Sequence, residues 1–268
     1  MSPEIAKFFA KLIERELGII YSDFNLFQLQ NRLEEIVRIL GLKDIPELAQ
    51  KAEFAMTPTI KQLLLDIATN NETSFFRDPK LFKALSSEFL PAFEGKPLRV
   101  WSAACSTGQE PYSFAMLAKE HTPSTRLEMV CTDISSRALK RAEEGRYTQL
   151  EVQRGLAAPL MIKYFTKDAS DMWSVTSSLR AGLSFRSMNL LQPFEVMGTF
   201  DLILCRNVLI YQNVDSKIRI IDKLARCLSP GGTLVLGAGE SMIGLSDAFD
   251  SIQVDSSIYY RKKAAKAA

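Results

Sequence analysis

The most chemically informative stretch joins a short apolar run to a helix through a loop of small residues. Residues 98–101 have strand character, the loop at 102–108 reads SAACSTG, and helical spacing begins after Glu110. Small side chains let the backbone approach a ligand closely, and the N-terminal end of the helix offers unpaired N–H groups and a positive dipole. The stretch therefore predicts a site for a nucleotide-like molecule at the edge of an α/β sheet.

The loop does not suit a dinucleotide, because that ligand favours G-x-G-x-x-G and this loop holds a single glycine, Gly108. Glu110 places an anion where a pyrophosphate would lie. A cationic ligand without phosphates fits better, and S-adenosylmethionine is the obvious candidate. Asp133 closes the next apolar run, at residues 127–132, at a position where an acidic side chain typically binds ribose hydroxyls.

Each acidic residue also has a purely structural interpretation. Thr107 and Glu110 match the capping-box pattern S/T-x-x-E, so Glu110 could simply satisfy the start of the helix. Asp133 could be an ordinary turn or cap residue. Finding the loop and Asp133 together in one βαβ unit favours the ligand interpretation.

Composition narrows the function classes. The 268 residues are 47% hydrophobic and 24% charged with a net charge of +2, which argues against a dedicated nucleic-acid binder. No apolar run approaches membrane-spanning length, and acidic residues near the N-terminus argue against a signal peptide, so a cytoplasmic protein is expected. The four cysteines form no C-x-x-C pair and His121 is the only histidine, so neither a metal site nor histidine-dependent hydrolysis is predicted.

Residues 1–90 are predicted to form a helical domain. Apolar residues recur at helical spacing in four stretches, the second of which begins at Phe24. Arg32, Arg38 and Lys43 could form a local basic patch, although a solvated face is the default explanation. After the helices, the segment at 69–77 crowds polar groups beside two phenylalanines, and its Asn71, Thr73 and Arg77 suggest contact with a ligand.

Residues 91–268 alternate strand and helix, which predicts an α/β domain with a doubly wound, mostly parallel sheet. The alternation breaks at about 145–188, where we expect a small antiparallel β subdomain built from the segments at 166–175 and 179–188. A final strand is expected at 252–260, followed by a disordered tail at 261–268.

Five motifs together resemble the CheR family of chemotaxis receptor methyltransferases: TNNETSFFRD, RVWSAACSTGQEPYSFA, CTDIS, NLL and FDLILCRNVLIYQ. The resemblance covers nearly the whole chain. It implies a class I S-adenosylmethionine-dependent methyltransferase fold and transfer of a methyl group to glutamate side chains, which leaves S-adenosylhomocysteine as product. The implied partner is the cytoplasmic helical bundle of chemoreceptors, without nucleic acid or membrane insertion.

The resemblance also implies roles for individual residues. Asn71, Thr73 and Arg77 would reach the cofactor from the helical domain, Gly108 would belong to the cofactor loop, and Glu110 and Asp133 would bind the amino-acid and ribose parts. The adenine side would be lined by Asn189, Leu190, Arg206 and Asn207, and Tyr211 would lie near the reacting groups.

Three features depart from the family pattern. Gln109 stands where many members have a second glutamate, and Glu34 and Glu35 weaken the basic surface expected on the helical domain. Members that bind a receptor's C-terminal pentapeptide share a glycine-containing loop in the β subdomain, whereas TKDASDMWSV has no glycine. We therefore expect a pentapeptide-independent enzyme.

The chemistry agrees with the residue types. A glutamate carboxylate is already nucleophilic at neutral pH, so the enzyme must place it in line and exclude water rather than supply a base. Arg77 and Tyr211 could orient the acceptor oxygens, or Tyr211 could be only a rim aromatic. A nucleic-acid amino-methyltransferase would favour a D/N-P-P-Y motif where this chain has RNVLIY. A non-catalytic S-adenosylmethionine-binding scaffold or sensor is the other alternative.

Overall fold

A computed structural model describes residues 1–21 and 26–264 of the chain, so Phe24 and residues 265–268 lie outside the described part. The N-terminal region packs four helices around one apolar core. They are α1 (Pro3–Leu17), α2 (Leu26–Leu40), α3 (Ile45–Phe54) and α4 (Pro58–Ala68). Ser2, Asp44 and Thr57 cap α1, α3 and α4, and in each case proline follows at the start of the helix.

The basic patch considered for Arg32, Arg38 and Lys43 is reduced by the packing of this region. Arg32 turns inward, where its Nη1 atom donates to the Tyr21 hydroxyl at 2.8 Å and to the Ala68 carbonyl at 3.0 Å. Of the three basic residues, Arg38 and Lys43 remain exposed.

The second region is built on a seven-stranded sheet with the order β6-β2-β1-β7-β8-β10-β9. Its strands are β1 (Pro97–Ala103), β2 (Arg126–Asp133), β6 (Leu183–Ser187), β7 (Phe200–Cys205), β8 (Leu228–Leu236), β9 (Phe249–Val254) and β10 (Ser257–Lys262). The first five strands in this order, β6, β2, β1, β7 and β8, pair in parallel with their neighbours. Strand β10 pairs antiparallel to both β8 and β9. The predicted doubly wound, mostly parallel α/β fold is confirmed.

Helices cover both faces of this sheet. Those that pack against its strands are α5 (Pro79–Ala84), α6 (Gln109–His121), α7 (Ser136–Glu144) and α11 (Val214–Arg226). The other α-helices of this region are α8 (Gln149–Gln153), α9 (Ala158–Tyr164) and α10 (Ser177–Arg180). Successive residues of β1 enter different cores, with Val100 in one and Trp101 in the other, and both are fully buried. This burial on both faces explains why the strands are continuously apolar. Within the described ranges, no helix is long and apolar enough to cross a membrane.

The strand pairing between residues 145 and 188 differs from the prediction. The small sheet has the order β3-β5-β4, formed by β3 (Arg146–Tyr147), β4 (Phe165–Lys167) and β5 (Trp173–Val175). The segment that was expected to pair with β5 instead supplies β6, which extends the main sheet beside β2. Its apolar residues Leu183 and Phe185 pack against the cores of the main domain, which favours this placement.

The C-terminal prediction is also corrected. The single strand expected at 252–260 is a hairpin of β9 and β10, because the chain reverses around Asp255 in a left-handed conformation with φ 50°. Arg261 and Lys262 belong to β10 rather than to a disordered tail.

Candidate active site

A pocket opens at the carboxyl ends of β1, β2, β6 and β7, where a doubly wound sheet commonly binds its ligand. It contains about 960 Å³ of space, including open solvent at its mouth. Leu17 and Ile19 from the end of α1, together with the segment at 69–73, enclose it from the helical region. The site therefore lies between the four-helix region and the sheet.

The structure brings nearly all of the predicted site residues into this one pocket. Those that line it are Asn71, Thr73, Arg77, Glu110, Asp133, Asn189, Leu190, Arg206, Asn207 and Tyr211.

Gly108 belongs to the same loop but is not among the lining residues, and its contact with the cofactor stays a prediction. Gly108 begins α6 with φ 93°, and a Cβ there would lie 2.9 Å from the Tyr147 hydroxyl and 3.0 Å from Cα of Ala142. The glycine is needed for close packing of the loop against α7 and Tyr147, and for the left-handed turn.

The loop between β1 and α6 is held in an unusual conformation. Ala104 and Ser106 have φ values of 65° and 50°, which non-glycine residues adopt at a cost of about 1–3 kcal/mol each. The Ser106 N–H donates to Asp133 at 2.8 Å, and the Ser106 hydroxyl donates to the Asn71 carbonyl at 2.8 Å. These bonds join the loop to the next strand and to the helical region.

Glu110 does not form the capping box that its spacing with Thr107 allowed. The N-cap position of α6 is Gly108, without a side-chain hydrogen bond. Glu110 instead accepts from the Ser102 hydroxyl at 2.7 Å and from Nη1 of Arg206 at 3.0 Å. Burial raises the pKa of Glu110 above its ordinary value, and the Arg206 charge opposes this rise.

Arg206 lies at the end of β7, next to β1, and is buried. Its guanidinium also donates to the Asp78 carboxylate and, at 2.7 Å, to the Arg77 carbonyl, whereas its Nε atom has no hydrogen-bond partner among the described residues. Two strands separate β7 from β6, after which Asn189 follows. Arg206 contacts Glu110, and its place on the adenine side with Asn189 and Leu190 stays a prediction.

Asp133 ends β2 with both carboxylate oxygens engaged by backbone N–H groups. One oxygen accepts from Ser106 at 2.8 Å and the other accepts from Ser135 at 2.9 Å. Burial raises the pKa of Asp133, and these backbone bonds counteract part of the rise. A carboxylate has about four lone-pair sites, so acceptor capacity remains for a hydroxyl donor.

The helical side of the pocket contacts the sheet side through neutral polar groups. Asn70 donates to the Tyr211 hydroxyl at 2.9 Å, and the side chain of Asn189 donates to the Glu16 carbonyl at 2.8 Å. Tyr211 is 37% exposed, so it stands at the mouth of the pocket. Arg77 is half-buried, and its Nη1 atom donates to the Glu72 carbonyl at 3.1 Å.

Two acidic residues at the site were not predicted. Asp78 pairs with Arg206, and the sequence signal for it was its place at the end of the polar motif TNNETSFFRD. Glu240 accepts from backbone N–H groups of the segment at 207–210. The sequence signal for Glu240 was the presence of an acidic residue shortly after the buried strand β8, at a strand end like that of Asp133.

Comparison with known proteins decides the family. Residues 71–258 match the family described as CheR methyltransferase, SAM binding domain. The chain belongs to the CheR family. The resemblance seen in its motifs is thereby confirmed, the cofactor is S-adenosylmethionine as predicted, and the chain is a methyltransferase.

Similar proteins extend the match over almost the whole chain. Chemotaxis protein methyltransferase Cher2 of Pseudomonas putida is 35% identical over 95% of this chain and 96% of its own length. Chemotaxis protein methyltransferase 1 of Pseudomonas aeruginosa is 34% identical with the same coverage. A crystal structure of magnesium protoporphyrin IX methyltransferase from Synechocystis with bound SAM overlaps loosely, at 13% identity and a TM-score of 0.42, over 81% of this chain and 97% of that one.

The charges of the pocket fit this cofactor. The lining holds the carboxylates of Glu72, Glu110 and Asp133 and the guanidinium groups of Arg77 and Arg206. Arg154 pairs with Glu72 and Asp78 pairs with Arg206, which brings the count to four carboxylates and three guanidinium groups. The remaining negative charge complements the sulfonium and ammonium groups of S-adenosylmethionine. Bound there, the cofactor supplies an electrophilic methyl group on sulfur.

Proposed function

We propose that this CheR-family protein methylates glutamate side chains on the cytoplasmic helices of chemoreceptors, giving glutamyl methyl esters. The support comes from relatives named chemotaxis protein methyltransferase that are 34–35% identical over 95% of the chain. The observation that carries the proposal is an acidic pocket for S-adenosylmethionine whose mouth holds an exposed tyrosine, Tyr211, where a protein side chain can enter.

The reaction needs no general base from the protein. A carboxylate oxygen attacks the methyl carbon, a C–O bond forms as the C–S bond breaks, and the sulfur keeps the electron pair. The position of the single histidine agrees with this scheme, because His121 lies far from the pocket. It is exposed at the C-terminal end of α6, whereas the pocket residue Glu110 is in the first turn of that helix. Along an α-helix this separation is roughly 16 Å.

The protein's task is then to orient two charged groups and exclude water. We assign Tyr211 and Arg77 to the acceptor carboxylate, since a hydroxyl and a guanidinium both donate to carboxylate oxygens. Asn70 accounts for one lone pair of the Tyr211 hydroxyl and leaves its proton free to donate. Arg77 uses one of its five N–H groups on the Glu72 carbonyl.

We assign the cofactor contacts from the place of each residue around the pocket. Glu110 would bind the amino-acid part and Asp133 the ribose hydroxyls. Asn71 and Thr73 would approach from the helical side, Asn207 from the end of β7, and Asn189 and Leu190 would line the adenine side.

We further propose that the enzyme works without the C-terminal pentapeptide of its receptors. The turn between β4 and β5 has no glycine, and it is closed by Asp168, which accepts from Ser170 N at 2.9 Å and Met172 N at 3.1 Å. Removing the pentapeptide from a receptor fragment should leave the KM for methylation unchanged. Binding of the isolated pentapeptide at micromolar strength would contradict this expectation.

The methylation itself is tested with S-adenosylmethionine carrying a tritiated methyl group and purified receptor cytoplasmic fragments. We expect label on the receptor that is released as methanol by mild alkali, as an ester requires. Arg77→Lys should label at least tenfold more slowly. Alkali-stable label, or label on nucleic acid, would overturn the proposal, and cofactor binding without any labelling would favour the sensor alternative.

A further inference from the structure

The carboxylate of Glu240 accepts four hydrogen bonds from backbone N–H groups. Its Oε1 atom accepts from Leu209 at 2.7 Å and Ile210 at 3.1 Å. Its Oε2 atom accepts from Asn207 at 2.8 Å and from Gly237, in the loop after β8, at 2.6 Å. One side chain thus ties the loop after β8 to the segment that follows β7.

This segment is short, irregular and directed at the pocket. Asn207 has a left-handed φ of 58°, and the chain then forms a single 3₁₀ turn at Leu209–Tyr211 without a side-chain cap from Val208. Both Asn207 and Tyr211 line the pocket. The N–H groups bound by Glu240 include two in this 3₁₀ turn, so the carboxylate supplies the acceptor that the start of a helix needs.

The loop that carries Glu240 is packed against the same segment. A Cβ at Gly237 would lie 2.8 Å from the backbone N of Asn207 and 2.6 Å from its Nδ2 atom. Glu240 N also donates to the Gly237 carbonyl at 2.9 Å, which closes the turn that returns the carboxylate to the segment. The glycine and the carboxylate together fix how closely the two loops approach.

We propose that Glu240 is a positioning residue for methyl transfer, which holds the Asn207–Tyr211 segment so that Tyr211 meets the acceptor carboxylate. This assignment rests on the proposed function for the role of Tyr211. Glu240 itself is one step removed from the reactants, and it acts through the backbone of residues 207–210.

Glu240→Gln tests the assignment, because an amide keeps one oxygen and turns an NH₂ group toward two N–H donors. We expect kcat on a receptor fragment to fall at least tenfold with less than a threefold change in receptor KM. Asp247→Asn, an exposed charge in the same loop, is the control and should match the wild type. In a Tyr211→Phe background, Glu240→Gln should lower kcat by less than a further threefold.

A second readout needs no substrate. The protein has seven tyrosines, and 3-fluorotyrosine labelling with ¹⁹F NMR identifies the Tyr211 resonance as the one lost in Tyr211→Phe. Glu240→Gln should shift or broaden that resonance and leave the others in place. If Glu240→Gln does not fold, Gly237→Ala displaces the same segment with Glu240 intact, and the same kinetic and spectral changes are expected.

Each contrary result has its own meaning. An unchanged Tyr211 resonance, wild-type kcat in Glu240→Gln, or effects that multiply fully in the double variant would overturn the positioning role. If the wild-type enzyme labels no receptor, the proposed function fails, and the Tyr211 resonance still decides whether Glu240 holds the segment.

Discussion

The Nη1 atom of Arg206 lies 3.0 Å from the Oε2 atom of Glu110, and the two side chains are 2% and 12% exposed. Arg206 also pairs with Asp78, so one guanidinium faces two carboxylates. The pair orients Glu110 without cancelling the negative charge of this end of the pocket. The remaining negative charge attracts the sulfonium of the cofactor and would repel a pyrophosphate.

Replacing Arg206 with methionine should destabilise the protein. Removing one partner of a buried ion pair leaves an uncompensated charge, which costs about 3–5 kcal/mol in the free energy of unfolding. Urea denaturation measures this loss, with Arg38→Met, on an exposed face of α2, as a near-neutral control. A loss as small as that of the control would show that the pair contributes little to stability.

The affinity for S-adenosylmethionine should fall as the pH drops toward 4.5, the ordinary pKa of a glutamate. Burial raises the pKa of Glu110, so the free enzyme holds a proton there in a window above 4.5, and the cation binds only after that proton leaves. Titration calorimetry in buffers of different ionisation enthalpy should detect proton release on binding. Glu110→Gln should reduce both the release and the pH slope; an unchanged slope would exclude Glu110 as its source.

The same raised pKa has a consequence for folding without cofactor. The folded protein binds a proton at Glu110 more tightly than the unfolded chain, so this group's stabilising contribution is complete below pH 4.5. The contribution is lost as the pH rises through the raised pKa. Unfolding curves of wild type and Glu110→Gln should therefore diverge as the pH rises through that window.

Asp133→Asn should weaken cofactor binding at least tenfold, although the two side chains have nearly the same size. The amide replaces one oxygen by a donor, which would face either the Ser106 N–H or the Ser135 N–H and disturb the loop as well as the ribose contact. Calorimetry measures the affinity, and Asp247→Asn is the matched control. Equal affinity in the two variants would remove Asp133 from the cofactor site.

Gly108→Ala should destabilise the fold more than Gly95→Ala. Both glycines have positive φ, so both substitutions carry conformational strain of about 1–2 kcal/mol. A Cβ at Gly108 would also meet Ala142 and the Tyr147 hydroxyl, whereas the space at Gly95 is open. Overpacking adds about 1–3 kcal/mol, which urea denaturation can resolve. Equal losses of unfolding free energy in the two variants would mean that Ala142 and Tyr147 shift without cost.

The parallel core of the sheet was predictable because its strands are continuously apolar and alternate with helices. The edges were not. Strand β6 is short and only partly buried, so its sequence alone does not say whether it pairs with β5 or extends the main sheet beside β2. The hairpin of β9 and β10 depends on a left-handed turn at Asp255, a residue type that gives only a weak turn signal.

For the site, the sequence by itself determined the inventory: a small-residue loop, Glu110 and Asp133 after successive strands, and polar groups at 71–77. These follow from local chemistry, since strand ends and helix starts place such residues at one edge of the sheet. Only the tertiary structure decided the partners. Arg206 with Glu110 and Asp78, and Glu240 with the segment at 207–210, join residues that are 30 to 128 positions apart. Sequence spacing does not encode contacts over such separations, because they depend on the order in which the strands pack.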